Sequence, residues 1–361
     1  MKSDITKVEK SLKAMLLSGD YQVGDKLPTE QELLNMLKVT RYSLRQALKK
    51  MRAEGYIVSR QGSGFFVGDP SQPVAPPNSQ KLIGVLTTHL ADYIFPKIIL
   101  GIDQVLAKQD YSIILSNTHN DVARERQNLM TLLDTPINGL IVEPTKSATL
   151  SPNLDIYREL LRRHIPMIFI HAKYPELDVP VIKTADEQSE YDLMQLLFKA
   201  KHQSILGMFQ IDDQQGVDRM HGFVRAYQNH PELTTFSNLI LYQSEESFEN
   251  LALKLQPFLN STNPPTAIAA YNDQLAIRLI AWLQDQGYLI PKDISVVGFD
   301  NYTMSAYITP KLTTASHPKS QMGITAAEML LKQLAHQKVN SLEFPPKIVE
   351  RASIQQLTDE N

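Results

Sequence analysis

Residues 40–55 read TRYSLRQALKKMRAEG. Leu44, Ala47, Leu48 and Met51 recur at i, i+3, i+4 and i+7, which makes one apolar stripe on a helix. Thr40 offers an N-cap hydroxyl, and Gly55 is a C′ stop. Tyr42, Arg45, Gln46 and Lys49 project from the other side, with Arg41 in the first turn. Just upstream, Pro28 precedes Thr29-Glu-Gln-Glu32, a capping box, and then Leu33, Leu34 and Leu37. Only Lys38-Val39 separates the two segments. This spacing predicts a helix-turn-helix, whose second helix can lie in the DNA major groove with its N-terminal residues at base edges.

The flanks extend the motif. Tyr56-Ile57-Val58 reads as a strand, residues 60–64 as a turn and Phe65-Phe66-Val67 as the return strand, so a hairpin wing follows the second helix. Residues 4–18 form a further amphipathic helix on Ile5, Val8, Leu12, Met15 and Leu16, ended by Gly19. That helix is expected to pack behind the motif, and Lys2 and Lys7 on it are candidate phosphate contacts. KLPTEQELL, TRYSLRQAL and EGYIVSRQGSGFFV, in this order and spacing, resemble the winged-helix domain of the GntR family of bacterial repressors over residues 1–68. Phe65 departs from the family, which usually has Thr there; the wing tip should be more apolar for it. The resemblance implies DNA contacts at Glu30, Thr40, Arg41, Ser43, Arg45, Gln61 and Gly62. Position alone already points to Arg41 and Arg45, because Arg matches a guanine edge bidentately.

The whole chain sets bounds. Its 361 residues exceed one ordinary core and predict two or three domains. Cysteine is absent, which removes disulfide frameworks and thiol catalysis and suits a reducing cytoplasm. Neither a signal peptide nor a membrane span is expected from the apolar runs. The net charge of −3 hides an asymmetry: residues 1–69 carry 12 Lys+Arg against 8 Asp+Glu, and the remainder 24 against 31. Only the basic head should seek phosphate, with a salt-dependent affinity.

Residues 69–80, with four prolines among small polar residues, read as a stiff linker. Beyond it the texture changes. LIGVL (82–86), SIILS (112–116), GLIVE (139–143), MIFIH (167–171), ILGMF (205–209), LILYQ (239–243), AIAAY (267–271) and ISVVGF (294–299) read as buried parallel strands. Amphipathic helices are expected near 96–109, 122–134, 187–200, 217–229, 247–259 and 273–286. Such βα repeats imply open sheets with right-handed crossovers. Two Rossmann-like halves over residues 81–361 fit them better than a TIM barrel. Ligands in these sheets bind at the C-terminal strand ends, here rich in carboxylates, amides, imidazoles and aromatics. That is wall chemistry suited to a polyol.

LIGVL, RMHGF (219–223), TAIAAYND (266–273), ISVVGFDN (294–301) and LTTASHPKSQMG (312–323) look like the effector domain of the LacI/GalR family, whose fold is that of periplasmic sugar-binding proteins. A GntR head on a LacI/GalR body is the layout of the arabinose-repressor family of Gram-positive bacteria, which TTHLADYIFPKIILGI, GLIVEPTKSA and DDQQGVDRMHGF also resemble. The resemblance implies a homodimeric, cytoplasmic repressor that binds pseudo-palindromic operator DNA and is released by L-arabinose, with no cofactor. It carries sugar contacts onto Arg219, Asn272, Asp300 and His317, and it places Tyr93 and Phe95 in the loop lining the cleft. Strand-end position adds Glu143 and His171. Arg219→Ala is accordingly expected to bind operator but to ignore sugar.

Two other readings are open to such a chain. An enzyme could use Asp212, Asp213 or Asp300 for acid–base work. Against that, the sequence has no metal-ligand spacing, no GxGxxG after a strand and no P-loop. The same architecture could also answer to a different sugar or a purine.

Overall fold

The computed structural model describes residues 2–17, 21–60, 64–68 and 81–358. Gly19, Gln61, Gly62 and the 69–80 segment lie outside the described residues, as do the side chains of Lys2 and Lys7. The chain divides into two compact units, Met1–Gln80 and Lys81–Asn361.

The first unit holds α1 (Lys2–Leu17), α2 (Glu30–Leu37), α3 (Arg41–Ala53) and an antiparallel hairpin of β1 (Ile57–Arg60) and β2 (Gly64–Val67). Thr29 and Glu32 make the reciprocal box at the start of α2: the Thr29 N–H donates to the Glu32 carboxylate at 2.7 Å, and the Glu32 N–H to the Thr29 hydroxyl at 3.4 Å. Lys38 turns the chain with a left-handed φ of +50°. Thr40 then caps α3 by accepting the Ser43 N–H at 3.2 Å. At the other end Gly55 takes φ +84°, and the Tyr56 N–H reaches back to the Met51 carbonyl at 3.0 Å, a Schellman stop. Leu44, Ala47, Leu48 and Met51 are buried with Val8, Leu12 and Leu33 in one core. Phe65 packs against that core instead of making the wing tip apolar, because alternation on β2 turns its ring inward.

The second unit contains two six-stranded sheets. The first half runs β3 (Lys81–Thr87), α4 (Phe95–Leu106), β4 (Tyr111–Asn117), α5 (Val122–Asp134), β5 (Gly139–Val142), α6 (Leu154–Arg162), β6 (Met167–Ile170) and β7 (Val181–Thr184). The second half runs α7 (Asp186–Lys199), β8 (Ile205–Gln210), α8 (Gln214–Gln228), β9 (Ser237–Tyr242), α9 (Phe248–Leu259), β10 (Ala267–Ala270), α10 (Asp273–Asp285), β11 (Ser295–Asp300) and β12 (Thr313–Ser316). The chain then returns: α11 (Lys319–Leu334) and β13 (Leu342–Phe344) join the first half, and β14 (Ile348–Val349) closes on the second. Strand orders are β13-β7-β6-β5-β3-β4 and β14-β12-β11-β10-β8-β9, parallel throughout except for β14. A TIM barrel is thereby excluded.

In both sheets the order reverses beside the first strand, between β3 and β5 and between β8 and β10, and the loops leaving those strands form the crevice. α4 and α11 cover the same face of the first sheet. They meet so closely that a Cβ on Gly323 would stand 2.0 Å from the Ile98 carbonyl oxygen, and one on Gly101 2.4 Å from that of Ser320. α11 is therefore fixed to the first half although it follows β12 of the second.

The sequence reading missed α6, α11 and four strands. β13 and β14 are too short to show a pattern and exist only because a sheet edge accepts them. β12 reads Thr-Thr-Ala-Ser, without the apolar run that marks its neighbours.

Candidate functional site

On the head, the Arg45 guanidinium lies on the Glu30 carboxylate, Nε to Oε1 at 2.6 Å and a terminal nitrogen to Oε2 at 3.3 Å. The Arg45 side chain is 64% exposed, so the fork is aimed by Glu30 yet open to an incoming partner. Its hydrogen bonds hold the Glu30 carboxyl below the ordinary range. Arg41 is also exposed, one helical turn away, with a long contact to Gln31 at 3.5 Å. α2 thus supports and orients the two arginines that start α3. Thr40 and Ser43 act differently. Ser43 is 4% exposed, and the Thr40 hydroxyl pairs with the Ser43 hydroxyl at 2.9 Å. Capping buries Ser43 under the helix start, which corrects its placement at the DNA surface.

In the second unit, a cavity of about 730 Å³ opens between the two halves at the strand ends. Its volume falls within the usual range for small-molecule sites. At its floor is Arg219, 1% exposed, on α8. Arg219 Nε donates to Asp186 at 2.8 Å, one terminal nitrogen to the Tyr271 carbonyl at 2.7 Å, and the other to Asp300 at 3.3 Å. The guanidinium plane also lies over the Phe299 ring, 3.6 Å from its centroid. Burial would discourage the charge, but the two carboxylates outweigh it and hold Arg219 firmly protonated. Burial likewise pushes the Asp186 carboxyl up, and Arg219 opposes that. At least three of the five N–H donors of Arg219 are engaged by the protein, so only the remainder can serve a ligand.

Tyr93 crosses from the first half. Its hydroxyl donates to Asp300 at 2.5 Å and accepts the Asp273 N–H at 3.2 Å. On the first-half wall Glu143 accepts from the Thr88 N–H at 2.8 Å, the Thr88 hydroxyl at 2.6 Å and His171 Nδ1 at 2.7 Å. Burial alone would raise the Glu143 pKa; these donors reverse the sign and keep it ionised. Against this carboxylate His171 is the donor, through Nδ1. Its Nε2 faces His317 Nε2 at 3.0 Å, from the other half. Burial, then the neighbouring His171, hold the His317 imidazole neutral. At the opposite rim Lys146 pairs with Glu245, and Asn120 donates to Ser244 at 3.0 Å. The halves are thus bridged on both sides of the cavity. The arrangement offers paired hydrogen-bond groups and aromatic faces, and among the described residues no cluster with metal-ligand geometry.

Residues 5–67 match the model for bacterial regulatory proteins of the gntR family, and residues 194–354 that for a periplasmic binding protein-like domain. The arabinose metabolism transcriptional repressor of Geobacillus stearothermophilus is 38% identical over 97% of both chains. That of Halalkalibacterium halodurans is 32% identical over 96% of this chain and 95% of its own. This chain belongs to the arabinose metabolism transcriptional repressors. A solved LacI family regulator from Enterococcus faecium with bound ribose superposes with a TM-score of 0.67 at 28% identity, over 77% of this chain and all of that one. The family is one of transcriptional regulators, not enzymes, and among the described residues no helix is long and apolar enough to cross a membrane.

The repressor's structure gathers Tyr93, Phe95, Glu143, His171, Arg219, Asn272 and Asp300 around this cavity. Asn272 lines it while its side-chain oxygen caps α10 through the Leu275 N–H at 2.9 Å. His317 does not line it; the residue is 3% exposed, with its ring against that of His171. Two further strand-end residues, Asp213 and Tyr271, also line the wall, although the resemblance carries no sugar contact onto them. Asp213 caps α8 through the Gly216 N–H at 2.6 Å and accepts the Tyr271 hydroxyl at 2.5 Å. Burial pushes its carboxyl up to about 6. Strand-end position is what marks them in the sequence: each follows a strand that borders the switch point.

Proposed function

We propose that this repressor binds a pseudo-palindromic operator as a homodimer in the cytoplasm, and that L-arabinose entering the cleft releases it from genes for arabinose uptake and breakdown. The observation that carries the reading is the cavity: carboxylates, imidazole, amide and aromatic groups from two separate halves converge on one space large enough for a sugar. The names borne by the two relatives support arabinose among sugars. A sugar bonded to both halves favours their closed arrangement, and that differential affinity is what lets it shift the protein between states. The two-fold partner is supported by the outer strands β4 and β9, which leave Leu115 and Leu241 44% and 41% exposed, and by the area a single winged helix lacks for specific binding. Glu30, Thr40, Arg41 and Arg45, with Gln61 and Gly62 by resemblance, are the proposed DNA contacts.

A second reading, another pentose as effector, is favoured by the ribose bound in the similar Enterococcus faecium regulator. Operator binding measured by fluorescence anisotropy separates the two. L-Arabinose should release the DNA, while D-ribose, D-xylose and D-galactose at equal concentration should not. Release by D-ribose alone would transfer the assignment to that sugar.

A further inference from the structure

Lys319 is the first residue of α11, placed where the chain leaves β12 of the second half and returns to the first. It is 8% exposed. Its ammonium donates to three backbone carbonyls, those of Asp300, Asn301 at 3.1 Å and His317 at 3.3 Å. Burying an ammonium is costly unless its hydrogens are used; here one contact is local, to His317 two residues before Lys319, and the other two fall on the short Asp300–Asn301 stretch of backbone. That stretch is unusual. Asp300 has φ +95° and Asn301 φ +48°, conformations that residues with a side chain rarely adopt. They persist only when the surroundings over-determine them. Asp300 is also the carboxylate that receives both Arg219 and Tyr93 in the cavity.

The stem of Lys319 belongs to α11, which the Gly323 and Gly101 contacts fix to α4. Lys97 of α4 makes a parallel contact, to the Thr303 hydroxyl at 3.1 Å. The ammonium thus holds the end of a second-half strand from a first-half helix. We propose that Lys319 is a positioning residue that fixes the backbone of Asp300 and makes the Asp300 carboxylate follow the first half as the cleft opens and closes. The proposal deepens the effector reading above and rests on it for the identity of the ligand.

Two variants test it. Lys319→Met keeps the stem and removes the donors; Lys319→Arg keeps a cation that does not deprotonate. In a crystal structure of sugar-free Lys319→Met, Asp300 should leave positive φ and part from Arg219. L-Arabinose affinity, by calorimetry, should fall at least tenfold in Lys319→Met, with sugar-free operator affinity within twofold of wild type. Lys319→Arg should retain most of the sugar affinity. A pH series adds a readout that a merely structural role would not move. The groups facing Lys319 are Asp300, Asp273 of α10, Lys97 of α4 and His317. Burial lowers its pKa from the ordinary lysine value, so wild-type sugar affinity should fall as the solution becomes alkaline, and that of Lys319→Arg should not. Unchanged Asp300 geometry in Lys319→Met, or matching alkaline profiles for wild type and Lys319→Arg, would overturn the proposal; the second comparison stands even if Lys319→Met does not fold. Wild-type protein that binds no L-arabinose would instead refute the ligand, and the Lys319→Met structure would still decide the positioning role.

Discussion

Arg219→Ala is expected to lower the stability of the 81–361 unit by about 3–5 kcal/mol, the usual consequence of stranding a buried charge. Asp186 and Asp300 have side chains only 1% and 3% exposed, and both depend on the same guanidinium. Without it, two carboxylates face each other in a dry site. The sign of the pH dependence follows from the Asp186 shift. Burial raises the Asp186 pKa even with Arg219 present, and removal of the cation raises it further. A raised carboxyl pKa means that stability is present at low pH and lost as pH rises, so the deficit should be largest near neutrality and shrink on acidification. Thermal unfolding of both proteins at pH 5 and pH 7.5 measures it, and equal melting at pH 7.5 would rule out the ion-pair account. The sequence reading expected Arg219→Ala to be a clean uninducible repressor. The buried network makes that substitution a folding variant as well. Arg219→Lys, which keeps a cation but loses the planar fork, is the better probe of sugar response.

Arg45→Ala should weaken specific operator binding by about 1–3 kcal/mol, or roughly 5- to 150-fold, the range for one bidentate base contact. Arg45 is open to solvent and already held in a fork geometry by Glu30, which limits the ordering left to be done on DNA. If the contact is to a base edge, the loss should be concentrated on the operator and be small on unrelated DNA. A phosphate contact would weaken both alike. Competition binding at fixed salt, with L-arabinose affinity measured alongside as an unchanged reference, makes the distinction. Undiminished operator affinity would remove Arg45 from the interface.

The head was legible because its signals are local. A capping box, an i, i+3, i+4, i+7 stripe and a C′ glycine lie within a few residues of one another, and each appears where its spacing put it. The strand ends of the body were legible for a similar reason, since apolar runs mark the buried strands and the site follows each run directly. What escaped is non-local. Ser43 looks like a polar residue at a helix start, and only the fold shows that it is buried, with its hydroxyl accepting from Thr40. His317 carries no sign of the ring in front of it, because His171 is 146 residues away in sequence. Asp186 gave no signal at all: it is the first residue of α7, and it matters only because α8 brings Arg219 beside it.

The central claim is that sugar and operator bind to competing states of one protein. Linkage makes the claim reciprocal: whatever factor L-arabinose takes from operator affinity, operator must take from L-arabinose affinity. The direct test is to titrate L-arabinose calorimetrically into the repressor alone and into the repressor saturated with operator. The account predicts weaker sugar binding in the second titration, by the same factor that saturating sugar imposes on operator affinity. Equal sugar affinities in the two titrations would contradict it.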